Sequence, residues 1–473
     1  MVVPAGAPVF HSLGAAHGLV VAGEGATVTR RGALASLLRG KMGNAIIRGG
    51  LPAGEARISL ATAPGRTTFY LALPPPGRHH NVVRYPIAAV GPGYAGILTS
   101  TSTRLPGLVS IADVAPSVEA LRRGNRPRIR SEAEDDSLPR LETLDQRLDR
   151  AHDSRVPAAL VLVCLVATLG LLALATRSAL LGRAAFLAAP TCIAVAVLLS
   201  ALGVTGPAAA VTALGLAAGL LALLGGAVLR PALPLALGLV ALFAFLFAVM
   251  WAEPEWNTLA VIGPHPDGGG RFYGVTNQVE TLLLAPALVL GALAGLRALP
   301  AVALLLAAGV ASSRVGADGG GLVVYLAAFL ALGLRLRRPE PTRAAVTVAL
   351  AAGAALALVG IDAATGGSSH VTEAVGGGPG SLLDDLGHRL HLSGASIAST
   401  WNNALLFALG LAALAWLALR RPRLAILDAL LAGLAVSLVV NDTPADVAGY
   451  GALSALVLWT WLGRAGERLR RLE

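Results

Sequence analysis

The side chains with chemical potential in this sequence are ionisable and amide groups at the margins of long apolar runs: Arg271, Asn277, Arg314, Asp318, His370, Asn441 and Asp442. Glu280 lies inside such a run. A carboxylate or guanidinium at the edge of hydrocarbon costs several kcal/mol when unpaired, so these groups are expected to find one another or a shared ligand. Two chemistries fit. Arg271, Arg314 and Arg389 are planar donors suited to phosphate or carboxylate, whereas Glu280, Asp318 and Asp442 suit a proton or cation. The stretch PHPDGGGRFYGVTNQVE carries three consecutive glycines before Arg271, so it reads either as a plain outer loop with aromatic anchors or as an anion-binding lip. It is neither a Walker A loop nor a dinucleotide fingerprint.

The elements that must position these groups are membrane helices. Mean hydropathy is +0.69, with 55% apolar and only 14% charged residues, which a water-exposed surface rarely permits. Up to eleven runs approach the 20 apolar residues a crossing needs: 157–175, 184–203, 207–229, 231–251, 279–296, 299–312, 320–334, 343–362, 402–419, 424–441 and 446–463. The net charge of +10 comes from arginines clustered at every second connection, among them Arg177, Arg230, Arg297, Arg335, Arg421 and Arg468. This alternation places those connections and the C-terminus in the cytoplasm and argues against nucleic acid as a partner. The partners expected are the lipid bilayer and an anionic or lipid-linked substrate. The runs 299–312 and 320–334 are short and flank SSRVGADGGG, so they read as paired short crossings or as a re-entrant hairpin around a polar site.

Before Val156 the composition differs. Residues 1–123 mix short β-branched runs with Gly and Pro, and 124–155 form a charged linker in which Leu138, Leu141, Leu144 and Leu148 recur at helical spacing. The expected architecture is mainly α: a small α/β domain over 1–123, a helical linker over 124–155 and a polytopic domain over 156–473. An odd number of crossings puts the α/β domain outside the cell, yet Met1–Gly50 holds no export signal. The expectation is that the natural start lies upstream; a cytoplasmic domain with one span fewer is the alternative. Cys164 and Cys192 both lie in apolar runs, which excludes a disulfide framework and CxxC metal chemistry.

Residues 83–121 contain a strand-like run into Pro86–Gly93 and then Gly107–Pro116 (GLVSIADVAP). This pattern resembles the C-terminal part of alkaline-phosphatase-superfamily domains. GRFYGVTN, GADGGG, SSHV and VNDT resemble the membrane domain that follows such a domain in a family of bacterial polytopic proteins. The resemblance implies a cell-envelope protein related to phosphatases or phosphotransferases. It also implies an N-terminal nucleophile and Asp/His metal clusters, and here no Asp-His pair precedes Pro86. The domain is therefore expected to be partial, without a metal-dependent catalytic centre; no catalytic residue or cofactor is assigned. His79 and His80 are adjacent on an extended segment and point to opposite sides, so they make a poor joint metal site. Asp113 is expected to cap the following helix. Asp384, His388 and His391 share one face of an expected interfacial helix, where a metal site is the less common reading. The function expected is an outward-facing polar site acting on a phosphate-containing or lipid-linked envelope substrate; the alternative is a secondary transporter using Glu280, Asp318 and Asp442.

Overall fold

The computed structural model describes residues 1–12, 14–25, 27–40, 42, 66–204, 206–268, 271–364, 387, 391, 393–421 and 423–463. The chain divides into two compact units, one of residues 1–154 with 257–259 and 264–273, the other of 155–256, 260–263 and 274–473.

The first unit is built on strands β1 (Ala16–Val21), β3 (Thr68–Leu71), β5 (Tyr85–Val90), β6 (Gly96–Ser100), β7 (Leu108–Ser110) and β8 (Ile129–Glu132), with a small antiparallel pair, β2 (Thr27–Thr29) and β4 (Arg78–His80). The order is β3-β5-β1-β6-β8, with β7 also pairing β1. β1 is antiparallel to β5 and parallel to β6 and β7, so the sheet is mixed. β1 reads AHGLVV and is buried at nearly every position, as expected of a strand covered on both faces. Gly96 is required where β6 begins: its φ is +81°, and a Cβ there would lie 2.3 Å from the Glu132 carbonyl oxygen. Helices α1 (Arg30–Arg39) and α2 (Val114–Arg122) complete this unit's core around Val20, Phe69, Ile87, Leu98 and Ile111.

Two local expectations are corrected. The linker is not helical throughout: Ile129–Glu132 forms β8, and helix α3 (Ser137–Thr176) begins only at Ser137. Asp113 sits at the N-cap of α2 but its side chain makes no capping bond. Its carboxylate instead accepts from the hydroxyls of Ser100, at the end of β6, and Ser102, in the turn after it. His79 and His80 lie consecutively on β4, and the His79 ring is 3.1 Å from the Pro76 carbonyl oxygen.

The second unit is helical: the later part of α3, then α4 (Ala179–Ala201), α5 (Pro207–Val228), α6 (Ala232–Ala252), the short α7 (Pro254–Thr258), shared with the first unit, α8 (Asn277–Ala311), α9 (Gly319–Arg337), α10 (Pro341–Ala364), α11 (Trp401–Leu419), α12 (Ala425–Val440) and α13 (Pro444–Leu462). Among the described residues nine helices are long and apolar enough to cross a membrane, and α12 is a shorter apolar helix. This is a multi-pass membrane protein by helix length and composition. At 1.5 Å per residue α8 would run about 52 Å, well beyond a ~30 Å hydrocarbon core. It breaks at Gly295 (φ 80°, ψ 166°), where the sequence separates the runs 279–296 and 299–312. The second half of α8 runs antiparallel to α9: Val310 packs at Gly321, and Arg337 Nη2 donates to the Leu296 carbonyl oxygen at 3.1 Å. Small residues set the close approaches, as membrane helix packing favours. Gly433 of α12 meets Ala328 and Leu284, Gly291 of α8 meets Phe329, and Gly410 of α11 meets the backbone of Ala448 in α13.

Candidate functional site at one end of the helical unit

α8 starts at Asn277, with the Thr276 hydroxyl accepting from Val279 N at 3.3 Å. α9 starts after Asp318, whose Oδ1 accepts from Gly321 N at 3.2 Å. α12 ends at Asn441, where the chain turns through Asp442 and Thr443 into α13. These termini meet at one end of the unit. Val275 N donates to the Gly316 carbonyl oxygen at 2.8 Å, so the segments GRFYGVTN and GADGGG touch. Asn277 Nδ2 donates to Asp442 Oδ1 at 2.9 Å and to Thr443 Oγ1 at 3.0 Å, joining α8 to VNDT. A Cβ on Gly320 would come within 2.7 Å of Asn441 Oδ1, so glycine lets α9 approach the end of α12.

Below this rim lies a fully buried layer. Glu280, 0% exposed, accepts from Asn441 Nδ2 at 3.0 Å on Oε2 and from Ser437 Oγ at 3.4 Å on Oε1. Asn441 Nδ2 also donates to Ser437 Oγ at 2.7 Å, and the Asn441 carbonyl oxygen accepts from Ser393 Oγ at 3.0 Å. Tyr325, also 0% exposed, lies in α9 within electrostatic range of both Glu280 and Asp318, yet its hydroxyl makes no hydrogen bond. Asp442 lies in the turn before α13 and Asp446 in its first turn, and Gln278 hydrogen-bonds Tyr450. The arrangement can hold a ligand through two carboxylates, an amide and a phenol. It is rich in acceptors: 277–294, 319–334 and 424–462 contain no Arg, Lys or His.

The far end of the same helices has the opposite character. Asp428 at the start of α12 pairs with Arg335 at 2.8 Å and Arg423 at 2.9 Å. Asp428 is thus an ion-pair partner of two arginines.

Of the residues singled out from sequence, Asn277, Asp318, Asn441 and Asp442 line this site. Arg314 lies exposed on the turn before Asp318, its amide donating to Ser312 Oγ at 3.3 Å. Arg271 belongs to the first unit. His370, Asp384, His388 and Arg389 lie outside the described residues. Ser437, Ser393 and Tyr325 escaped the sequence reading. Ser437 had a signal, four residues before Asn441 on one helical face; Tyr325 had another, as the one phenol in its apolar run.

The glycine-rich loop before α8 is held within the first unit. Asn81 Nδ2 lies 2.7, 3.0 and 3.2 Å from the carbonyl oxygens of Gly23, Gly25 and Gly268, and Gly25 N donates to Gly268 O at 2.9 Å. His152 Nδ1 sits 2.6 Å from Asp267 Oδ2, and Thr258 Oγ1 donates to Phe272 O at 2.8 Å. The Arg104 guanidinium lies 4.9 Å from the centre of the Tyr273 ring, and His265 bridges Arg271. No known protein family, curated protein or solved structure matches the chain.

Proposed function

We propose that the chain is a multi-pass protein of the bacterial cytoplasmic membrane, with its Arg335 and Arg423 end in the cytoplasm, that works as a secondary transporter binding solute at the polar end of α8, α9, α12 and α13. The observation that carries this reading is Glu280, wholly buried in an apolar helix packing yet held by Asn441 and Ser437. A carboxylate kept there at a cost of several kcal/mol is characteristic of ion and proton pathways. The glycines at the start of α9 add support, because they let helix ends approach one another beside the buried group, Gly320 facing Asn441 and Asp318.

The test is solid-supported-membrane electrophysiology on the full-length protein in proteoliposomes, with jumps of amino acid, sugar, polyamine and organic-anion solutes under an imposed pH or sodium gradient. One solute class should give a sustained current that depends on the gradient. No current from any class, with turnover of a phosphate ester by the same preparation, would overturn the reading.

A second reading, binding of an anionic or lipid-linked envelope substrate, draws on the phosphatase-like sequence pattern. It is favoured by one arrangement in the first unit, where Arg104 lies against Tyr273 and Arg271 is two residues away in the same loop. Binding of phosphate-bearing lipid that is lost in Arg104→Gln and Arg271→Gln would support it.

A further inference from the structure

We infer that Glu280, Asp318, Tyr325 and Asn441 form a single buried site for one small hard monovalent cation, a proton or a sodium ion. This rests on the transporter reading and names the coupling ion of that site. Three facts converge. Both carboxylates bear on one phenol, and Glu280, Asp318, Tyr325 and Asn441 are 0%, 2%, 0% and 3% exposed. The Tyr325 hydroxyl is wholly buried and makes no hydrogen bond, although a buried hydroxyl left unsatisfied costs about 1–3 kcal/mol, and a Cβ on Gly320 of the same helix would lie 2.7 Å from Asn441 Oδ1 and 3.5 Å from Asp318 Oδ1. A bound cation, or a carboxyl that has taken a proton, gives that oxygen a partner.

Charge arithmetic sets the stoichiometry. Ionising Glu280 and Asp318 together would put two negative charges into the bundle, at several kcal/mol each even after relaxation. The N-termini of α8 and α9 offset only about 0.3–1 kcal/mol apiece. One cation brings the pair to a single negative charge, which the Asn441 amide and the two helix ends can share. The surrounding ionisable groups are Arg314 on the turn before α9, Asp442 and Asp446 at the start of α13, and Asp362 of α10, which accepts from Ser313 N and Oγ at 2.9 Å each. Among the described residues no three His, Cys, Asp or Glu side chains gather as metal ligands. The four oxygen-bearing side chains fall short of the roughly 6–8 oxygen ligands that calcium takes.

The experiment uses full-length protein in proteoliposomes on a solid-supported membrane, without solute. A sodium jump at constant pH and a pH jump at constant sodium are applied separately, and the transient charge displacement is read. One of the two should displace charge in the wild type: a sodium response identifies sodium, a pH response the proton. Glu280→Gln should abolish the transient. Tyr325→Phe, which keeps the ring and the packing, should raise the half-saturating ion concentration about tenfold or more. Far-UV circular dichroism and size-exclusion profiles check the fold of both variants. No transient in the wild type, or transients unchanged in a folded Tyr325→Phe, would overturn the site. A solute-free transient of the expected kind with no solute ever moved would leave the ion site standing and remove the transporter reading, so the two failures are distinguishable.

Discussion

Replacing Asn441 by alanine removes the amide that ties α12 to the buried Glu280 of α8. Interhelical hydrogen bonds in membrane proteins contribute about 0.6 kcal/mol on average and up to about 1.7 kcal/mol. Bonds to ionised groups reach about 1.5–3 kcal/mol in general. The bond to Ser437 stays within the α12 end and adds little to the contact between helices. A loss of about 1–2 kcal/mol is therefore expected for Asn441→Ala. The decisive quantity is the coupling in a double-mutant cycle with Glu280→Ala, expected at about 0.6–1.7 kcal/mol. Reversible unfolding of the full chain in mixed micelles by increasing dodecyl sulfate, followed by tryptophan fluorescence and far-UV circular dichroism, gives all four corners. Independent sites add within about 0.3–0.5 kcal/mol. A coupling inside that range would show that Asn441 and Glu280 do not hold each other, and the buried layer would lose its central contact.

In the first unit, Arg84 is nearly buried and bonds Asp145 at 2.5 Å, Asp149, and the Val82 carbonyl oxygen at 2.9 Å. Because the carboxylates are 41% and 59% exposed and recover solvent, Arg84→Met should cost only about 1–2 kcal/mol, read as faster amide exchange in β5 and the first turns of α3. Burial lowers the pKa of His17 below its ordinary 6.5, against backbone hydrogen bonds that raise it. The folded state thus binds its proton less readily than the unfolded chain; the stability from neutral His17 is present above pH 6.5 and declines as pH falls toward the lowered value. His17→Gln should flatten the acid side of a thermal-stability profile, and an unchanged slope below pH 6.5 would contradict this. For orientation, in a background with Cys164→Ser and Cys192→Ser, an impermeant thiol reagent applied to whole cells should label Leu202→Cys and His265→Cys but not Arg338→Cys or Arg421→Cys; the reverse pattern would invert the membrane orientation.

The helical spans were legible in the sequence because hydropathy is a property of each segment alone. Every apolar run from 157–175 to 446–463 corresponds to a helix, and the separation of 279–296 from 299–312 reappears as the break at Gly295. The polar ends were legible for the same reason: Asn277, Asp318, Asn441 and Asp442 stand out where hydrophobicity stops. Partnership was not. Whether Asp428 faces a coupling site or Arg335 and Arg423 depends on which faces of α9 and α12 meet, and small residues such as Gly433 and Ala328 decide that by how closely they let helices approach. Tyr325 looks like one more aromatic in an apolar run until Glu280 and Asp318 are placed around it. The loop PHPDGGGR has a composition suited to a ligand lip, but that Asn81 bonds Gly268 and His152 lies against Asp267 could not be read from it, because those partners are distant in sequence. Composition determines where a segment is stable; a hydrogen-bond partner from 161 residues away, as Asn441 is to Glu280, exists only once the helices have packed.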